Sequence, residues 1–313
     1  MDSNERSILA GSIVRTSNHT LWYSCGDWQI SGVSDAYPCI PAYIPEDMFP
    51  PGLPQTKRIT AYGRSYVKVF GHHGVPLSVH RNTLYPSMEG VIYPFSLGRM
   101  VFVRKSHILE IRDPKKFREQ FLRDLEEADA VYKSLVRALG ISIEDSGISG
   151  SVLVIGTPSW RHETDFAVYG EHACTQAFSA IEENRHTGIF SQESLYPYHM
   201  PFRYQGRWFD PHFSDAAKER FLHGAMITVL ATLEDITLRI TDDTDGLFYP
   251  VIYHVDEGKK LVSFRSSHRG LYRRGQQVHF SSLSDAELIF PSGETETVFL
   301  VIHDEWGEVL RDS

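Results

Sequence analysis

The chain has 313 residues, 42% hydrophobic and 23% charged, which is ample material for a core and more length than one domain needs, so two or three domains are expected. A net charge of −9 and a pI near 5.9 argue against a protein whose main task is to coat nucleic acid, although a basic groove can survive inside an acidic whole. Three cysteines (Cys25, Cys39 and Cys174) without CxxC spacing speak against a disulfide framework or a zinc knuckle and suit a reducing cytoplasm, and neither a signal peptide nor a membrane-spanning run of about 18 apolar residues is expected.

Residues 1–110 read as β-rich. Short apolar and aromatic runs (GSIVRT, TLWYSC, DWQISGV, RSYVKVF, GRMVFVRKSHI) are separated by Gly, Pro, Asn and Asp, with no helical periodicity. The prolines of PCIPAYIPEDMFPPGLP exclude a helix and predict a long surface excursion between strands. From Asp113 the pattern changes: Phe117, Phe121, Leu125, Ala128, Tyr132, Leu135 and Leu139 recur at helical steps. Asp113 before Pro114 is a good N-cap and Gly140 a good stop, which predicts one long amphipathic helix.

The stretch SGSVLVIGTPSWRHETDFAVYG, residues 149–170, carries the chemistry. Gly150 and Ser151 form a small-residue corner at which backbone amides and a hydroxyl can approach a phosphate. VLVIG is too short to classify, TPSWRH reads as a turn, and ETDFAVYG as a strand. On a strand, residues two apart share a face about 7 Å apart, so Glu163 and Asp165 converge while Thr164 faces away. Like charges forced together favour a divalent cation, Mg²⁺ or Mn²⁺.

A helix, a Gly-Ser corner and then acidic-x-acidic on a strand resemble the signature of the DNA polymerase β-type nucleotidyltransferase superfamily. More narrowly, RSYVKV, GISGSVLVIG, TDFAVYG, GRWFD, LFYPVIYHV and LYRRGQQV resemble prokaryotic nucleotidyltransferase-domain proteins of similar length. The resemblance implies that Gly150 and Ser151 contact the phosphates of an NTP substrate and that Glu163 and Asp165 hold metal. The superfamily's first carboxylate is usually aspartate. Glu163 is one methylene longer, which would shift an ion by up to about 1 Å, and a misplacement of that size costs on the order of a hundredfold in rate.

A third carboxylate is expected from a neighbouring strand. Asp210 in FRYQGRWFDPHF would help activate the acceptor or complete the metal shell, with Asp235 as runner-up. The plainer reading makes Asp210 a helix cap or a turn residue before Pro211. Arg161, Arg203 and Arg207 are available to triphosphate charge, Arg161 being the one assigned to nucleotide binding, though surface arginines are common. The fifteen histidines, including His72, His73, His162, His186 and His199, stand in no ligand spacing and read as scattered. Cys174 reads as a small buried residue of the helix EHACTQAFSAIEENRHTG.

The remainder alternates strand-like runs with DDTDG, DEGKK and PSGET turns and predicts a small barrel or sandwich, an OB-like barrel being one form of it. Its cluster of Arg265, His268, Arg269, Tyr272, Arg273 and Arg274 is basic with an aromatic inside. The expected architecture is α+β: an N-terminal β-rich region (1–110), a nucleotidyltransferase-like domain (111–222) and a C-terminal β-barrel-like module (223–313). The expected activity is metal-dependent nucleotidyl transfer from an NTP to an unidentified acceptor, with no membrane partner. The alternatives are a catalytically silent nucleotide-binding or interaction module, and a nucleic-acid-binding protein acting through the C-terminal barrel.

Overall fold

The computed structural model describes residues 8–52, 57–69, 85, 88–94, 97–98, 100–156, 163–184, 189–190, 201–265, 268–301 and 308–310. The fold is α+β with several sheets. In chain order the strands before the helices are β1 (Ile13–Thr16), β2 (Leu21–Ser24), β3 (Ala36–Pro45), β4 (Arg58–Ala61), β5 (Arg64–Lys68), β6 (Val91–Ile92), β7 (Val101–Arg104) and β8 (Ile108–Arg112). There follow α1 (Pro114–Asp124), α2 (Glu126–Ala138), β9 (Ser146–Ile148), α3 (Gly150–Ile155), β10 (Glu163–Tyr169), α4 (Glu171–Asn184), β11 (Phe202–Tyr204) and β12 (Arg207–Ser214). The last strands are β13 (Met226–Asp242), β14 (Val251–Val255), β15 (Lys260–Ser263), β16 (Gln277–Ile289), β17 (Thr295–Val301) and β18 (Glu308–Leu310).

Two compact units are assembled from non-adjacent segments. One comprises 1–27, 41–73 and 108–216; the other comprises 28–40, 74–107 and 217–313.

The first unit has two sheets. In one the strands run β4-β5-β3-β2-β1-β8, and in the other β11-β12-β10-β9. In the second sheet β10 lies parallel to β12 and antiparallel to β9. Alternation explains how it holds together: Phe166 and Val168 on β10 and Phe209 and Phe213 on β12 are buried. Phe166 meets Phe202 and Phe209 edge-on, both at 6.1 Å between ring centroids. Each such ring stabilises the fold by about 2–3 kcal/mol through burial alone.

The helical stretch departs from expectation, being two helices broken at Leu125, which is extended (φ −135°, ψ 92°). The N-cap is as read, with the Asp113 carboxylate accepting from the amides of Lys115 (2.7 Å) and Lys116 (3.2 Å). The acidic run accounts for the break. Asp124 opposes the dipole at the end of α1, whereas Glu126 suits the start of a new helix. Buried Arg118 on α1 donates through Nη1 to the carbonyls of Ile143 and Ser146, pinning the turn that feeds β9. Arg118→Ala is expected to lower stability by about 2–3 kcal/mol in urea titration, because the buried Ser146 carbonyl loses its charged donor and the part-buried Ile143 carbonyl loses one of its donors. A change under about 1 kcal/mol would mean that water serves them equally well.

Two further expectations fail. The first half of the proline-rich segment is no surface excursion, since β3 is buried along all ten residues; only past β3 does the chain reach the surface, with Asp47, Met48, Pro51 and Gly52 exposed. The partners of β3 use different stretches, β7 pairing Ala36–Cys39 and β5 pairing Tyr43–Pro45, and Pro41 falls between these registers, where no ladder amide is needed. DWQISGV is a loop anchored by fully buried Trp28, and the amide of Ser31 donates to the carbonyl of Ala225 (2.9 Å).

In the second unit the first half of β3 carries β7 and then β6. The remaining strands pair β13–β14–β15–β17–β16 and return from β16 to β13, curling the sheet, with β15 and β17 parallel. Tyr253, Tyr272, Phe280 and Phe299 fill its core.

Candidate metal centre

Strand register builds the site. Asp165 on β10 lies directly opposite Asp210 on the parallel neighbour β12, and Ala167 lies opposite His212. Because side chains alternate, Asp165, Asp210 and His212 stand on the face opposite to Phe166, Phe209 and Phe213. One ligand atom from each of Asp165, Asp210 and His212 lies within 4.8 Å of the others, and all three residues are half-buried. Donors around a cation at about 2.0–2.6 Å stand no more than about 4–5 Å apart, so the set fits one ion without rearrangement. Two carboxylate charges at such a separation repel by roughly 3–4 kcal/mol in half-buried surroundings, a cost that a cation reverses.

Gly150 explains why this corner has no side chain. It adopts φ +65° as the first residue of α3, and a Cβ there would stand 1.4 Å from Oδ2 of Asp165. The preceding amide, of Ser149, donates to the Asp165 carbonyl (2.9 Å), and the Ser149 hydroxyl donates to the carbonyl of Gly11 (2.8 Å). VLVIG, unclassifiable by sequence, is therefore helical, and Ser151 is its half-buried second residue. The first sheet contributes Tyr23. Burial, the adjoining Tyr43 and the negative charge of Asp165 and Asp210 push its phenol well above the usual range, so it stays protonated beside the carboxylates.

Asp210 is neither a helix cap nor a turn residue; it sits inside β12. Glu163 begins β10 in register with Trp208. Arg203 stacks its guanidinium on the Trp208 ring at 4.7 Å, and Arg207 opens β12. Asp235 belongs to β13 in the other unit and is largely exposed. Arg161 lies outside the described residues, as do His72, His73, His162, His186 and His199. Cys174 is fully buried in α4, as read. Tyr272, placed by sequence inside a basic patch, is fully buried in the curled sheet, as is His268, so neither offers a stacking surface.

Sequence reasoning missed His212. The signal was present, because His212 follows Asp210 at the same two-residue spacing that singled out Glu163 and Asp165. No protein-family model, curated protein or solved structure matches the chain.

Proposed function

We propose that the chain is a divalent-metal-dependent nucleotidyltransferase that moves a nucleoside monophosphate from an NTP to an acceptor, with pyrophosphate leaving. The observation that carries this reading is the cross-strand pair Asp165 and Asp210, joined by His212 and held against the bare α-carbon of Gly150. Asp165 and Asp210, with His212 and Glu163, are the residues that would hold the cation. When bound, it would supply charge neutralisation for the phosphates and the leaving pyrophosphate.

In this reading the bare α-carbon of Gly150 lets the Asp165 carboxylate pack into the corner, and the Ser151 hydroxyl donates to a phosphate of the NTP. The acceptor hydroxyl loses its proton to the carboxylate of Asp210 as it attacks the α-phosphorus. The imidazole matters for metal choice, since nitrogen ligands favour later transition metals and oxygen ligands favour Mg²⁺ and Mn²⁺; a mixed set favours Mn²⁺ over Mg²⁺. The curled sheet of the second unit would be the OB-like barrel.

The test is pyrophosphate release from each NTP with Mg²⁺ or Mn²⁺ and a cell-extract metabolite pool as acceptor. Release that favours Mn²⁺, disappears in Asp165→Ala and loses its Mn²⁺ preference in His212→Gln is expected. Equal release from wild type and Asp165→Ala would refute the proposal.

A further inference from the structure

A second cluster lies in the first unit, on β1, β5, β8 and the β4–β5 turn. The hairpin turn Tyr62-Gly63 has positive φ at both residues (51° and 70°), a conformation that glycine or asparagine usually supplies and tyrosine adopts only under strain. The Tyr62 ring is held by two guanidiniums, those of Arg15 at 4.3 Å and Arg112 at 4.1 Å from its centroid. One carboxylate serves both arginines: Glu110 lies 3.3 Å from Arg15 and 2.9 Å from Arg112. The group therefore carries an excess positive charge.

It also carries unmet donors. Buried Nε of Arg15 and the buried hydroxyls of Tyr62 and Tyr66 have no hydrogen-bond partner among the described residues, and Tyr66 is fully buried. Burial pushes the phenol of Tyr62 up to about 12 and raises that of Tyr66, so both remain O–H donors at neutral pH. Such orphaned groups are rare in folded proteins and cost stability unless something accepts from them. An arginine N–H only donates, so what completes this cluster is an acceptor, and the excess charge makes it an anion. The arginines are the partly exposed side of the cluster: each retains 23% of its side-chain surface, and Arg112 together with Glu110 also lines a neighbouring open cleft with Lys116, Gln120 and Gly156.

We propose that Arg15, Tyr62, Tyr66 and Arg112 form a second binding site, for a phosphate group. The donors come from three strands and a turn, and Glu110 already takes the planar, carboxylate-shaped place between the arginines, which suits a tetrahedral oxyanion better than a second carboxylate. Arg112 also donates to the carbonyls of Leu153 (3.2 Å) and Val154 (2.8 Å), capping the end of α3, whose first residue contacts Asp165. An anion drawing on Arg112 thus acts on the helix that begins at the metal centre.

The experiment is thermal unfolding of the full chain in EDTA at constant ionic strength, titrated with inorganic phosphate in one arm and ATP in the other. A saturable rise of about 5 °C is expected for wild type. It should vanish in Arg15→Gln and Tyr66→Phe and persist in Asp165→Asn, which separates this site from the proposed metal chemistry. Tyr66→Phe also reads the folded state directly: without phosphate it should unfold at or above the wild-type temperature, because an orphaned hydroxyl has been removed, so loss of its phosphate response is not misfolding. A response to inorganic phosphate identifies a free-phosphate site, and a response to ATP alone identifies a nucleotide's phosphates. No saturable response to either, or the same response in all variants, overturns the proposal.

Discussion

Replacing Asp210 by asparagine is expected to make the metal-free protein more stable while removing its response to Mn²⁺. Asp165 and Asp210 are cross-strand partners with ligand atoms within 4.8 Å, in a half-buried setting where their charges repel. Neutralising one relieves about 1–3 kcal/mol of that repulsion, so urea titration in EDTA should show a higher midpoint for the variant. The shape of the side chain is unchanged and Phe209 and Pro211 on either side remain buried or paired, so packing does not oppose the gain. With Mn²⁺ the order reverses, because wild type gains binding free energy and the variant lacks a charged ligand. In the proposed reaction, losing a metal carboxylate removes several kcal/mol of transition-state stabilisation, and pyrophosphate release should fall about a thousandfold. Identical Mn²⁺ shifts in the two proteins would show that the pair holds no cation.

Gly150→Ala should damage the same centre from the opposite side. The added Cβ would stand 1.4 Å from Oδ2 of Asp165 and 2.7 Å from its Cβ. Swinging the carboxylate away relieves the first clash but not the second, so β10 and α3 must separate and the 2.9 Å bond from the Ser149 amide to the Asp165 carbonyl must lengthen. The residue is also held at φ +65°, where alanine is strained. Together these effects should cost about 1–3 kcal/mol of stability. In the proposed reaction, a displacement of about 1 Å at Asp165 should lower turnover on the order of a hundredfold. Calorimetric titration with Mn²⁺ and urea unfolding measure the two parts, and a variant that binds Mn²⁺ like wild type would refute the close packing of this corner on Asp165.

Much of the local structure was legible in the sequence. β-branched and aromatic content marked β10, apolar runs divided by turn residues marked the strands from β13 to β17, and Asp113-Pro114 marked the start of a helix. These features depend on residues within one turn or one pleat of each other, where side-chain periodicity and backbone hydrogen bonding leave few options. The break at Leu125 was obscured because an uninterrupted apolar stripe masks a local reversal of charge preference. The proline-rich β3 was misread because a proline's tolerance in a sheet depends on which neighbour pairs at that residue, and the neighbours are distant in sequence.

What the amino-acid sequence determined by itself was an α+β chain with a glycine corner and an acidic pair on a strand. Tertiary structure alone decided that Asp210 stands opposite Asp165, that His212 joins them and that Gly150 must lack a side chain. It also decided that the Tyr62 turn rests between two arginines of β1 and β8. The physical reason is common to all four. A parallel register and the docking of a turn on a sheet arise from the burial of Phe166, Phe209 and their neighbours, a non-local free energy that brings together residues whose own sequence neighbourhoods carry no trace of one another.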